Sequence, residues 1–161
     1  MPAGPWQHPG GMRKLRNWLS ERLGVAPGEE SAQREHARNL AVAALLVEIL
    51  RADYDVSGPE RRQVLESIRG ILGLDAGQCE ALFELAEQRV DDAHDLHQFT
   101  SEVNRAFTAD EKVELVEQMW RVAQADQTVH KYEEHLIRRI SDLLHVPHRQ
   151  FIAAKLRGAG Q

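Results

Sequence analysis

From Met12 onward the chain places apolar residues at the three-to-four-residue spacing of helices. Met12, Leu15, Trp18, Leu19 and Leu23 share one helical face, and Gly24 with Pro27 closes that segment. The stretch from about Ser31 to Ala52 starts polar and becomes nearly continuously apolar in LAVAALLVEIL, which predicts the buried central helix of a helical domain. Ser57, Gly58, Pro59 and Glu60 then form a helix start, with serine as N-cap, proline in the first turn and glutamate at the capping-box position. The helix they open presents Val64, Leu65, Ile68, Ile71 and Leu72 and ends at Gly73. Asp75 caps another, which faces Cys79, Leu82, Phe83, Ala86 and Val90 inward. After the polar DDAHD comes a short helix from about Leu96 to Phe107, and Thr108 with Glu111 forms a capping box for a helix carrying Val113, Val116, Met119, Trp120 and Ala123. Leu136, Ile137, Ile140, Leu143 and Leu144 mark a further helix, and Pro147 opens the last, with Phe151, Ile152 and Leu156 available for packing. No segment alternates as a strand does, so the pattern predicts an all-α protein of about eight helices.

The pattern also repeats. RADYDVSGPE and QADQTVHKYE each end an apolar helix in Ala-Asp and return a glutamate seven residues past the aspartate. Leu46, Ile49, Ala52, Asp53, Val56 and Glu60 correspond to Met119, Val122, Ala125, Asp126, Val129 and Glu133. If one residue is then dropped from the second copy, Leu65, Ile68, Ile71, Leu72 and Leu74 fall on Ile137, Ile140, Leu143, Leu144 and Val146. Such duplication predicts two similar helix-turn-helix units packed together with approximate two-fold symmetry.

Composition sets the boundaries. Residues 1–11, rich in proline and glycine, read as a disordered leader, residues 12–27 as an amphipathic helix and linker, and residues 28–157 as a single helical domain. No apolar run is long enough to span a bilayer, and the N-terminus lacks the apolar middle of a secretory signal, so the expected location is the cytoplasm. The net charge of −5, with basic and acidic residues mixed throughout, argues against a nucleic-acid partner. The single cysteine, Cys79, lies in a core stripe and is expected to be an inert buried thiol. The segment Met12 to Leu23 sets Arg13, Lys14 and Arg16 beside an apolar face with a tryptophan, so its uses are docking on the domain, peripheral contact with a membrane surface, or binding of a partner protein.

The acidic junctions carry the candidate chemistry. A glutamate in the first turn of a helix meets unpaired amides and the positive end of the dipole, whereas an aspartate at a helix C-terminus sits at the unfavourable end. Its repetition calls for compensation by a capping bond, a basic neighbour or a cation. Asp53, Asp55 and Glu60 in the first copy, and Asp126 and Glu133 in the second, offer the oxygen donors that calcium or magnesium prefers over zinc. Neither loop has the length or central glycine of an EF-hand. The alternatives are a metal-independent protein-interaction module whose acidic breaks are structural and, third, a metal-dependent hydrolase. For the last there is no HExxH, CxxC, phosphate loop or serine elbow. His94 and His97, three apart at a helix start, are spaced for half of a zinc site; His130 and His135 either add nitrogen ligands to the second acidic break or lie on a polar helix surface, and His145 and His148 straddle Pro147 and share no helical face.

ILRADYDVSGPE followed by LESIRGILGL, and WRVAQADQTVHKYE followed by IRRISDLLHV, resemble the TerB-type tellurite-resistance domain and its relatives, including the N-terminal co-chaperone TerB-like modules. The resemblance covers about Leu40 to Leu156. It implies an all-helical, internally two-fold domain of bacterial stress and tellurite-resistance systems, non-enzymatic, associated with the inner face of the membrane and with metal sensing. The acidic positions it carries over are Asp53, Glu60, Asp126 and Glu133. The glycine usual after the family aspartate is Tyr54 in the first copy and Gln127 in the second.

Overall fold

The computed structural model describes residues 29–52, 58–92, 95–125, 127, 129 and 131–160. Every regular element among them is helical: α1 (Glu29–Arg51), α2 (Gly58–Leu72), α3 (Ala76–Asp92), α4 (His97–Ala106), α5 (Ala109–Ala123), α6 (Lys131–Leu143) and α7 (His148–Gly158). The eighth expected helix, Met12 to Leu23, lies outside the described residues, as do the leader and linker. The chain divides into a unit of residues 1–37 and a unit of residues 38–161. In the first unit the described residues are the opening turns of α1, where Arg34 and Glu30 pair one turn apart. All that follows concerns the second.

Its centre is the apolar half of α1. From Ala41 to Val47 and at Ile49 and Leu50 every side chain is buried, as expected of a helix that is apolar all round. Around it, α5 packs against α7, α2 and α6, α2 packs against α3, and α4 against α6. The local signals act where the sequence placed them. Thr108 and Glu111 form a reciprocal capping box, and Asp75 and Gln78 exchange the same pair of bonds at 2.8 and 3.0 Å. Gly73, at φ 68°, ends α2, and Cys79, Leu82, Phe83, Ala86 and Val90 are the buried face of α3. On α7 the expectation is corrected: Phe151 and Ala154 are buried, while Ile152 and Leu156 are exposed at 36% and 46%. The reason is phase, since Ala154 rather than its larger neighbours continues the inward face set by Phe151.

The repeat is present in burial and in backbone bonding. In α2 the buried set is Glu60, Val64, Ser67 and Ile68, and in α6 it is Glu133, Ile137, Ile140 and Ser141, at constant spacing. The dropped residue therefore falls later than apolar matching put it. Val64, not Leu65, answers to Ile137, and the shift comes near the helix ends, after which Gly73 and His145 (φ 63°) take equivalent left-handed positions. Apolar matching missed this because each helix buries one serine, Ser67 or Ser141, where its counterpart has isoleucine. Beyond the shift, Cys79 N–H donates to Asp75 O and Phe151 N–H to Pro147 O, both at 2.9 Å. Thus α1, α2 and α3 correspond to α5, α6 and α7.

Candidate functional site at the helix junctions

Each junction begins with a tightened last turn. Ala52 N–H is shared between Glu48 O at 3.1 Å and Ile49 O at 3.2 Å, and Ala125 N–H donates to Val122 O at 3.2 Å, so an i to i−3 contact recurs at the same place in both copies. At the first junction, Arg51 reaches the carboxylate of Asp91 at the end of α3, and that hydrogen bond raises its proton affinity further. One turn back, burial pushes the Glu48 carboxyl up, partly offset by the Arg51 charge. At the second junction, Gln127 N–H donates to Gln124 O at 2.8 Å, and Gln127 adopts φ 68°. This is a left-handed conformation that costs a residue with a Cβ about 1–2 kcal/mol. A glycine at this position would therefore have a backbone reason that spacing alone did not reveal.

Of the five sequence-predicted ligands, Asp53, Asp55 and Asp126 lie outside the described residues. Glu60 and Glu133 lie within them, in the first turns of α2 and α6, and both are fully buried at 0% exposure. They are the two carboxylates in the buried set, whose other polar members are Ser67, Thr100 and Ser141. A helix-capping glutamate ordinarily keeps its carboxylate in water; here both are withdrawn from it, which requires compensation by neighbouring groups.

Two clefts show how the junctions face the rest of the unit. One, of about 520 Å³, is lined by the α2 residues Pro59, Arg62, Gln63 and Glu66 together with Ala125 of the second junction. The other, also about 520 Å³, is lined by Tyr132, His135, Leu136 and Arg139 of α6 together with Arg51 and Ala52 of the first junction. Tyr132, His135, Leu136 and Arg139 stand at the repeat positions of Pro59, Arg62, Gln63 and Glu66. Each junction alanine therefore lies across a cleft from the start of the other copy's helix. This exchange is what an internal two-fold relation produces.

Of the remaining candidates, Cys79 lines the α2 cleft and His135 the α6 cleft. Cys79 is buried, its thiol pushed up by burial and by Asp75, and donates weakly to Leu74 O. His148 stacks on Phe151, His97 N–H donates to Asp95, and His145 ends α6 exposed, while His94 and His130 lie outside the described residues. No group of three or more His, Cys, Asp or Glu side chains gathers as a metal site among the described residues, and no described helix is long and apolar enough to cross a membrane. Residues 39–156 match the protein-family model described as tellurite resistance protein TerB. No curated protein and no solved structure matches the chain.

Proposed function

The chain belongs to the TerB tellurite-resistance family, and from that premise we propose that it is a non-catalytic binding module of bacterial stress or tellurite resistance whose paired acidic junctions take up a divalent cation. The observation that carries this reading is the complete burial of Glu60 and Glu133 at equivalent first turns. The crossed clefts support it further, because the residue preceding Asp53 faces α6 and the residue preceding Asp126 faces α2. The donor set fits a hard ion. Carboxylates and junction carbonyls suit calcium or magnesium, whereas the thiol and imidazoles among the described residues do not gather as a zinc site.

A cation held by Asp53, Asp55, Glu60, Asp126 and Glu133 would neutralise charge at the unfavourable helix ends and fix the two helix pairs against each other for a partner protein to read. An ion that binds only the folded chain stabilises it by about 2.7 kcal/mol at a hundred times its Kd. Calcium and magnesium are therefore expected to raise the unfolding temperature and to shift amide resonances near both junctions. Glu60→Gln and Asp126→Asn should each diminish that response. Millimolar calcium and magnesium that leave both resonances and unfolding temperature unchanged would remove the cation and leave an interaction module with structural turns.

A further inference from the structure

The two clefts share a scaffold and differ in charge. Arg62, Glu66, Arg69 and Glu80 line the cleft at α2 with balanced signs; Glu66 lies 3.9 Å from Arg69, and Glu80 pairs with Arg61 at 2.9 Å. In the cleft at α6 the position of Glu66 is Arg139 and that of Arg62 is His135, and Arg51 enters from the first junction. Among the described residues that line it there is no carboxylate, in a chain whose net charge is −5. Asp91 engages Arg51 from outside the cleft, and Arg139 has no ion-pair partner among the described residues. Tyr132, at the position of Pro59, is 72% exposed on the rim, the most exposed of the large apolar side chains described, with Leu136 beside it.

We propose that this cleft binds a small aromatic phosphate monoester, with the phosphate on Arg139, Arg51 and His135 and the ring against Tyr132 and Leu136. Guanidinium groups offer paired N–H donors that match phosphate oxygens, and an open aromatic ring offers a stacking face. A volume of about 520 Å³ accommodates such a molecule. The cleft adjoins the first junction, but the contacts proposed here are the arginine, imidazole and apolar side chains that line it and not the carboxylates of the cation reading.

The test is an amide-resonance titration of the full chain in EDTA, so that no metal bridges an anion to a carboxylate. The probes are phenyl phosphate, inorganic phosphate and phenol. Phenyl phosphate should give saturable shifts at Arg51, Tyr132, His135, Leu136 and Arg139. Inorganic phosphate should shift the same residues about 3–10-fold more weakly, the value of one aromatic contact, and phenol should not bind. Arg139→Gln should weaken phenyl phosphate about tenfold, the loss of one charge-assisted hydrogen bond, while Arg62→Gln in the other cleft leaves it unchanged. Tyr132→Ala should abolish the preference for phenyl phosphate over phosphate. Shifts that do not saturate, that fall equally on both clefts, or that survive Arg139→Gln undiminished would overturn the proposal. Because calcium and magnesium are absent, a failed cation site would leave these results untouched.

Discussion

Where Arg61 of α2 lays its guanidinium 4.7 Å over the Phe83 ring of α3, the equivalent place in the second half holds Glu134 of α6 and Lys155 of α7, joined at 3.3 Å. The two helix pairs meet at corresponding positions through a cation on an aromatic ring in one case and an ion pair in the other. Both contacts are partly solvated and each stabilises by about 1 kcal/mol or less. What repeats without such change is the buried line of Glu60, Val64, Ser67 and Ile68 against Glu133, Ile137, Ile140 and Ser141. The comparison places the repeat in helix phase and burial, and places the difference between halves in the side chains around them.

The sharpest difference lies where α7 meets α5. A Cβ on Gly158 would stand 2.6 Å from Trp120 Cβ and 3.0 Å from Glu117 O, so the helices approach as closely as they do because that atom is missing. The repeat position in α3 is Ala86, whose Cβ is accommodated in the core. Gly158→Ala should therefore destabilise by about 1–3 kcal/mol as an overpacked contact, despite the better helix propensity of alanine. Ala86→Gly should cost about 1 kcal/mol, the ordinary penalty of glycine in a helix. Urea unfolding of the two variants measures the contrast. A neutral or stabilising Gly158→Ala would mean that the two interfaces have the same spacing.

A smaller effect of opposite sign is expected at the second junction. Gln127→Gly relieves a left-handed Cβ and should raise stability by about 1 kcal/mol, less the extra freedom glycine gives the unfolded chain. Tyr54 stands at the same repeat position in the first junction, so Tyr54→Gly measures by unfolding whether both copies use the same backbone. Equal gains would extend the repeat through the junction loops; a gain at Gln127 alone would confine it to the helices.

Much of this architecture was legible in the sequence because it depends on period and punctuation. The inward face of α3 follows directly from Cys79, Leu82, Phe83, Ala86 and Val90, and Thr108, Gly73 and Asp75 mark boundaries by hydrogen bonds any reader of the chain can anticipate. The register of the repeat was less legible, since Ser67 and Ser141 occupy core positions and a polarity pattern assigns serine outside. Ser67 is admitted because its hydroxyl donates to Gln118 Oε1 at 2.8 Å across α2 and α5, a partner far away in sequence. At the candidate site, Glu60 and Glu133 were legible as first-turn acids, but their burial was not, because it depends on tertiary packing. The crossed clefts were invisible for the same reason. Pro59 with Ala125, and Ala52 with Tyr132, are brought together by tertiary packing alone.

The smallest expected effect tests charge at the two central helices, α1 and α5. Glu117 of α5 is pushed up by burial, but hydrogen bonds from Arg157 at 2.6 Å and Arg121 at 3.2 Å outweigh this and hold its carboxyl below the ordinary 4.5. A carboxyl depressed in the folded state contributes stability above its unfolded value, and that contribution is lost as pH falls through the depressed one. Glu48 of α1 is shifted the other way by burial, above 4.5, so its favourable contribution exists below the unfolded value and is lost as pH rises through the raised one. Glu117→Gln should accordingly lower stability at pH 7 by at most about 1 kcal/mol, since both arginines are more than a third exposed and solvent screens them. Glu48→Gln should raise stability slightly at pH 7, and both differences should shrink as the wild-type carboxyls become protonated. Unfolding free energies at pH 3 and pH 7 check the pair, and effects of the same sign at pH 7 would contradict it. The repeat position of Glu48 is Arg121, itself one of the two cations on Glu117. One half thus leaves a half-buried acid above its ordinary pKa where the other places the base that lowers its neighbour's, and opposite pH slopes are the solution signature of that substitution.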